Sequence, residues 1–225
     1  MNRGMYRLSS SMIFLALRVL FRLRVSGREN IPEQGACVIV ANHSSLLDPL
    51  IVGGAAWRPV RFAARDTLEK IPIIGRWMRW VGVIWVRREA PTRSSIKRMS
   101  VLLGRGELLS IFPEGTRSED NRLGRFRRGI LLLAKKTGTT VVPAGISGSF
   151  RALPPGRVLP RLFRRCEIQF GSPMSAEELI GDGGLEELRN RVAQLSGQTM
   201  TGAEEGADAP FDRELTLRSP EGIIP

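Results

Sequence analysis

Ala36-Cys37-Val38-Ile39-Val40-Ala41-Asn42-His43-Ser44-Ser45-Leu46-Leu47-Asp48-Pro49-Leu50-Ile51-Val52 is the stretch from which the rest of the chain can be read. Its first six residues are a short apolar run behind the turn residues Pro32 and Gly35, which is the pattern of a buried strand. Its last five suit a helix start, with Asp48 able to cap and Pro49 fitted to the first helical position. Between strand end and helix start stands His43, the single histidine of the 225-residue chain. Imidazole is the side chain that titrates near neutrality, so proton transfer at pH 7 falls most naturally to it. A tight turn brings Asp48 back towards the ring, where its carboxylate would hold one ring nitrogen protonated and aim the other at a substrate hydroxyl. The residues alone leave a plainer reading open, in which His43 is a loop residue and Asp48 only a cap.

Outward from this stretch, strand and helix patterns alternate. Val60–Ala64, Val81–Val86, Glu107–Phe112, Thr139–Ile146 and Glu167–Phe170 read as strands. Leu46–Ala56, Pro91–Leu103 and Ile130–Lys136 read as helices, the last ending at Gly138 with Lys135 and Lys136 in its final turn. Such alternation predicts an α/β fold, a mostly parallel sheet covered on both faces by helices. Ser175 and Glu178 form a capping-box pattern for a last helical region, interrupted at 181–184. Residues 201–225 are acidic and aperiodic, the composition of a disordered tail.

The net charge of +12 understates how basic the body is. The last 25 residues hold six acids against two arginines, so residues 1–200 carry 32 basic against 16 acidic groups. That surface suits bilayer headgroups, a phosphorylated substrate, coenzyme A phosphates, an acidic carrier protein or nucleic acid. Nucleic acid is disfavoured, because the chain has one tyrosine, no stacking motif and neither a helix-turn-helix nor a zinc pattern. Cys37 and Cys166 lack any paired framework and read as reduced packing residues, and one histidine with two scattered cysteines makes no zinc site.

Residues 1–24 have an apolar centre at Met12–Leu17, interrupted by Arg18 and Arg22, too short to span a bilayer. They are expected to form an amphipathic helix in the headgroup region with Phe14, Leu15, Leu17 and Phe21 in the lipid. The alternative is a helix packed on its own domain. A second candidate membrane surface is the stretch Leu68–Trp80, with Arg76 and Arg79 among its tryptophans; core packing is the alternative there.

Three further blocks complete the pattern: Gly82-Val83-Ile84-Trp85-Val86-Arg87-Arg88, Phe112-Pro113-Glu114-Gly115-Thr116-Arg117-Ser118 and Val141-Val142-Pro143-Ala144-Gly145-Ile146. With His43 and Asp48, in this order, they resemble the 1-acylglycerol-3-phosphate acyltransferase family over roughly residues 25 to 172. The resemblance implies a general base at His43, an orienting carboxylate at Asp48, and an acceptor-binding block at Glu114, Gly115, Thr116 and Arg117. It also implies a basic acceptor residue at Arg88 and an acyl-donor block at Pro143. Arg65, Leu68, Pro72 and Gly75 match a weaker pattern. Thr67, Arg65 and Arg87 depart from the residues common there, and with them the identity of the acceptor stays open.

The activity so implied is transfer of a fatty acyl group from acyl-CoA or acyl carrier protein to the free hydroxyl of lysophosphatidic acid, giving phosphatidic acid. Neither a metal nor a bound cofactor is expected. Arg117 and Arg88 would grip the phosphate in a fork, while Glu114 would position an arginine or accept from a glycerol hydroxyl. An acyl-serine route through Ser44 or Ser45 is disfavoured, because no G-x-S-x-G elbow is present. The expected organisation is an amphipathic helix over 1–24, an acyltransferase domain over 25–200 and a tail over 201–225. The expected location is peripheral, on the cytoplasmic face of a bacterial inner membrane. The alternatives are an acyltransferase for another lyso-lipid and a non-enzymatic basic binder.

Overall fold

The computed structural model describes residues 3–65, 84–86 and 93–202. Arg87, Arg88, the stretch Leu68–Trp80 and the acidic tail beyond 202 lie outside them. Among the described residues seven strands form one sheet: β1 (Arg24–Ser26), β2 (Cys37–Ala41), β3 (Val60–Arg65), β4 (Ile84–Val86), β5 (Leu108–Ile111), β6 (Val141–Ser147) and β7 (Glu167–Phe170). Their spatial order is β1-β7-β6-β2-β5-β3-β4. Every neighbouring pair is parallel except β6 with β7, so the expected mostly parallel sheet is present.

Every residue of β2 is buried, and its alternate side chains feed two separate cores. Cys37, Ile39 and Ala41 join a cluster with Leu17, Phe21, Ile51 and Ile168. Val38 and Val40 join another with Ile130, Leu133, Leu188 and Val192. A strand covered on both faces has no polar alternation, which is why 36–41 reads as a continuous apolar run. The first cluster lies under helices α1 (Arg3–Phe21) and α2 (Asp48–Ala55). The second lies under α3 (Arg93–Gly104), α4 (Gly129–Thr137), α6 (Ala176–Ile180) and α7 (Gly184–Ser196), while α5 (Ser149–Ala152) is a single turn after β6.

Two expectations change. The helix α1 is not wholly given to lipid: Leu17 and Phe21 are core residues, Phe14 packs against the same cluster, and the Tyr6 hydroxyl accepts from the Val60 amide at 3.0 Å. Its opposite face still exposes Leu8, Met12, Leu15 and Val19. Asp48 does not cap α2: Leu47 holds the cap position, and the carboxylate turns back into the preceding loop. Near the end of the described residues, Thr201 donates to the Leu123 carbonyl at 3.0 Å and Leu123 to that of Thr199 at 2.9 Å.

Candidate active site

Register places the chemistry. The parallel neighbours β2 and β5 pair Val40 with Ile111, so continuing each chain past its strand sets the His43 loop beside Phe112, Pro113 and Glu114. Beyond the carboxyl ends of such strands is where α/β sheets hold ligands.

Within the loop, His43 Nδ1 lies 3.0 Å from Asp48 Oδ2. That oxygen also accepts from the Ser44 and Ser45 amides, each at 2.7 Å. Asp48 is fully buried, and the three donors offset the loss of water around its charge. With a carboxylate at Nδ1, that nitrogen carries the proton and Nε2 keeps its lone pair, the arrangement a general base requires. The imidazole is stacked on Phe112, with centroids 4.2 Å apart and planes 21° from parallel, and its side chain stays 18% exposed. Ring, carboxylate and exposed edge are thus held in one orientation.

Glu114 takes a role that sequence did not assign it. One carboxylate oxygen accepts from the His43 amide at 2.7 Å and the other from the Gly124 amide at 2.9 Å. Both oxygens are thereby directed to backbone, rather than to an arginine side chain. Burial pushes its carboxyl above the ordinary glutamate value, with the Gly124 and His43 amides pulling the other way. The Ser118 amide donates to the His43 carbonyl at 2.8 Å, so segment 114–118 is fastened to His43 on both sides. Gly115 stands at φ 73°, and a Cβ there would lie 2.7 Å from Arg127 Nε. A left-handed turn under a guanidinium admits only glycine. Thr116 is exposed and Arg117 half-buried on this same segment.

Of the residues singled out in the sequence, the structure gathers His43, Asp48, Glu114, Gly115, Thr116 and Arg117. Pro143 is not at the loop rim: it is buried within β6, paired with Val40, and its carbonyl accepts from Gly171 at 2.8 Å. Arg88 lies outside the described residues. Sequence reading missed Asn42, whose side chain pairs with both backbone groups of Ile146, at 2.7 and 2.9 Å, and so ties the loop to β6. It also missed Ser149, whose hydroxyl faces that of Ser44 at 3.3 Å. The signal for Asn42 was present, as an amide at the end of an apolar strand; Ser149 opens a one-turn helix that leaves no periodic trace. Among the described residues no group of histidine, cysteine, aspartate and glutamate could hold a metal ion. No described helix is long and apolar enough to cross a membrane.

The family model described as Acyltransferase matches residues 22–147. A 1-acyl-sn-glycerol-3-phosphate acyltransferase of Bacillus subtilis is 32% identical over 146 residues, covering 64% of this chain and 72% of that protein. A chloroplast protein of the same name from Arabidopsis thaliana is 36% identical over 148 residues, covering 63% and 40%. The chain therefore spans less than half the length of some of the curated relatives it matches. Among solved structures, the 1-acyl-sn-glycerophosphate (LPA) acyltransferase PlsC of Thermotoga maritima aligns with a TM-score of 0.66 and 27% identity, over 86% of this chain and 76% of that one.

Proposed function

The chain belongs to the acyltransferase family, and from that premise we propose that it acylates the free hydroxyl of 1-acylglycerol-3-phosphate, giving phosphatidic acid, with His43 as general base and Asp48 as its orienting carboxylate. The observation that carries the proposal is the 3.0 Å His43–Asp48 contact, held against segment 114–118 by the two hydrogen bonds of the His43 backbone.

In this mechanism the acceptor's phosphate is held by Arg117, with Arg127 beside Gly115 and Arg88 as further cations. Its hydroxyl then meets His43 Nε2, which takes the proton as the oxygen attacks the thioester carbonyl. Collapse of the tetrahedral adduct expels the thiolate, and the imidazolium returns the proton to it, so the enzyme ends unchanged. Asp48 steadies the transient imidazolium without taking its proton. The donor would be acyl-CoA or acyl carrier protein, whose phosphates or acidic face suit the exposed Arg125, Arg127 and Arg128. Lipid substrates place the enzyme at an anionic membrane surface, with the outward stripe of α1 against it.

The test is a mass-spectrometric screen of purified protein against several lyso-lipids with each donor. Phosphatidic acid should form from lysophosphatidic acid, and His43→Ala should reduce turnover by about 10³-fold or more while thermal stability is retained. Product formed at the wild-type rate by His43→Ala would refute the base. A strong preference for an uncharged or zwitterionic lyso-lipid would refute the acceptor.

A further inference from the structure

The connection between α5 and β7 exposes a run of large apolar side chains. Val158 is 88% exposed, Leu159 73% and Phe163 60%, and Leu162 is exposed as well. Interleaved with them are the exposed Arg157, Arg161, Arg164 and Arg165, and residues 151–166 contain no acid. A large apolar patch in water is unfavourable unless something covers it. The backbone is nevertheless fixed: Arg161 donates to the Ala152 carbonyl at 2.7 Å and Phe163 to that of Leu20 at 2.6 Å. Phe163 stands at φ 61°, a region a bulky residue seldom occupies, yet its ring is left largely uncovered. Conformational strain is thus spent to turn an aromatic outward.

The anchoring partners say where this loop sits. Its root is bonded to the catalytic loop, since Ser45 Oγ donates to the Leu153 carbonyl at 2.8 Å. Next to Ser45 in the chain is Leu46, itself 51% exposed. Its far end is bonded to the end of α1, where Cys166 donates to the Phe21 carbonyl at 2.9 Å. The loop therefore runs from the His43 site to the helix that exposes Leu8, Met12, Leu15 and Val19.

We infer that residues 157–165 form a second membrane-inserting element, which seats Val158, Leu159, Leu162 and Phe163 among the acyl chains of an anionic bilayer while the intervening arginines lie at the phosphate level. Charge decides between occupants. A second copy of this basic chain would bring arginine against arginine, whereas anionic headgroups meet the arginines and hydrocarbon meets the apolar side chains. The insertion shares a lipid partner with the proposed activity, but its readout does not depend on turnover.

The experiment places an environment-sensitive fluorophore at Val158→Cys in the full chain; Cys37 and Cys166 are buried and their thiols pushed up to about 12, so labelling is directed to the new site. Phosphatidylcholine vesicles containing phosphatidylglycerol should shift its emission to the blue, and nitroxides on the acyl chains should quench it. In unlabelled protein, combined Val158→Ser, Leu159→Ser and Phe163→Ser should weaken vesicle binding by about tenfold or more, with detergent-dispersed substrate turned over at the wild-type rate. An unshifted spectrum, an equal response to pure phosphatidylcholine, or a blue shift that grows with protein concentration without vesicles would each overturn the inference, the last in favour of self-association. Absence of turnover in every format would count against the proposed activity and leave the fluorescence result standing.

Discussion

Glu114 shows how much one carboxylate can organise. Its two oxygens each accept from a different backbone amide, at His43 and at Gly124. Glutamine is a poor substitute here, because its amide nitrogen would face one of those N–H groups donor to donor. Glu114→Gln should therefore cost about 1–3 kcal/mol of stability and lower kcat more than KM, measured by denaturant unfolding and steady-state kinetics. Wild-type values in both would show that the brace is dispensable. The two thiols make a separate prediction. Burial, reinforced at Cys166 by the nearby Asp48 charge, raises both to about 12, so neither is appreciably thiolate at pH 8. Iodoacetamide at pH 8 should leave the folded protein unmodified and label both positions in guanidinium, as read by intact mass.

At the scale of elements, the close crossing of α7 over β6 depends on Gly145. A Cβ there would fall 2.2 Å from both the Leu195 carbonyl carbon and the Ser196 nitrogen, which are backbone and cannot swing aside. Gly145→Ala should push α7 off the sheet and cost about 3 kcal/mol or more, visible as a large fall in Tm. An unchanged Tm would mean that the helix end relaxes freely. Elements of this kind also mark what sequence could reveal. The apolar runs at 37–41 and 108–111 and the capping box of Ser175 with Glu178 are local patterns, and the structure contains each of them. Strand β1 and the one-turn α5 left no such trace: three and four residues are too few for any period to show. For the site, the pairing of His43 with Asp48 was legible because they stand only five positions apart. The bracing of His43 by Glu114 and of the loop by Asn42 depends on which strands lie adjacent, and that is a tertiary fact.

For the whole molecule, the placement of α1 alters how membrane binding should be probed. Tyr6, Leu17 and Phe21 are core residues, so deleting residues 1–21 removes part of the fold together with the exposed stripe. Such a deletion should lower Tm sharply or yield insoluble protein, since losing one buried aromatic alone costs about 3–5 kcal/mol. Combined Leu8→Ser, Met12→Ser, Leu15→Ser and Val19→Ser should instead keep Tm within a few degrees while reducing sedimentation with anionic vesicles. A truncated chain with wild-type Tm would show that the helix is an independent appendage.

Strand β1 is made early, yet its partner among the described strands, β7, comes after the five strands β2 to β6 have been made. During synthesis α1 can pack on α2 early, but the sheet edge beside its end, where the Phe21 carbonyl accepts from Cys166, forms only later. Folding of the edge must wait for residues 167–170 to emerge, and in that interval the end of α1 lacks its partners at Phe163 and Cys166. A nascent chain in that condition has either a chaperone or a bilayer available to it.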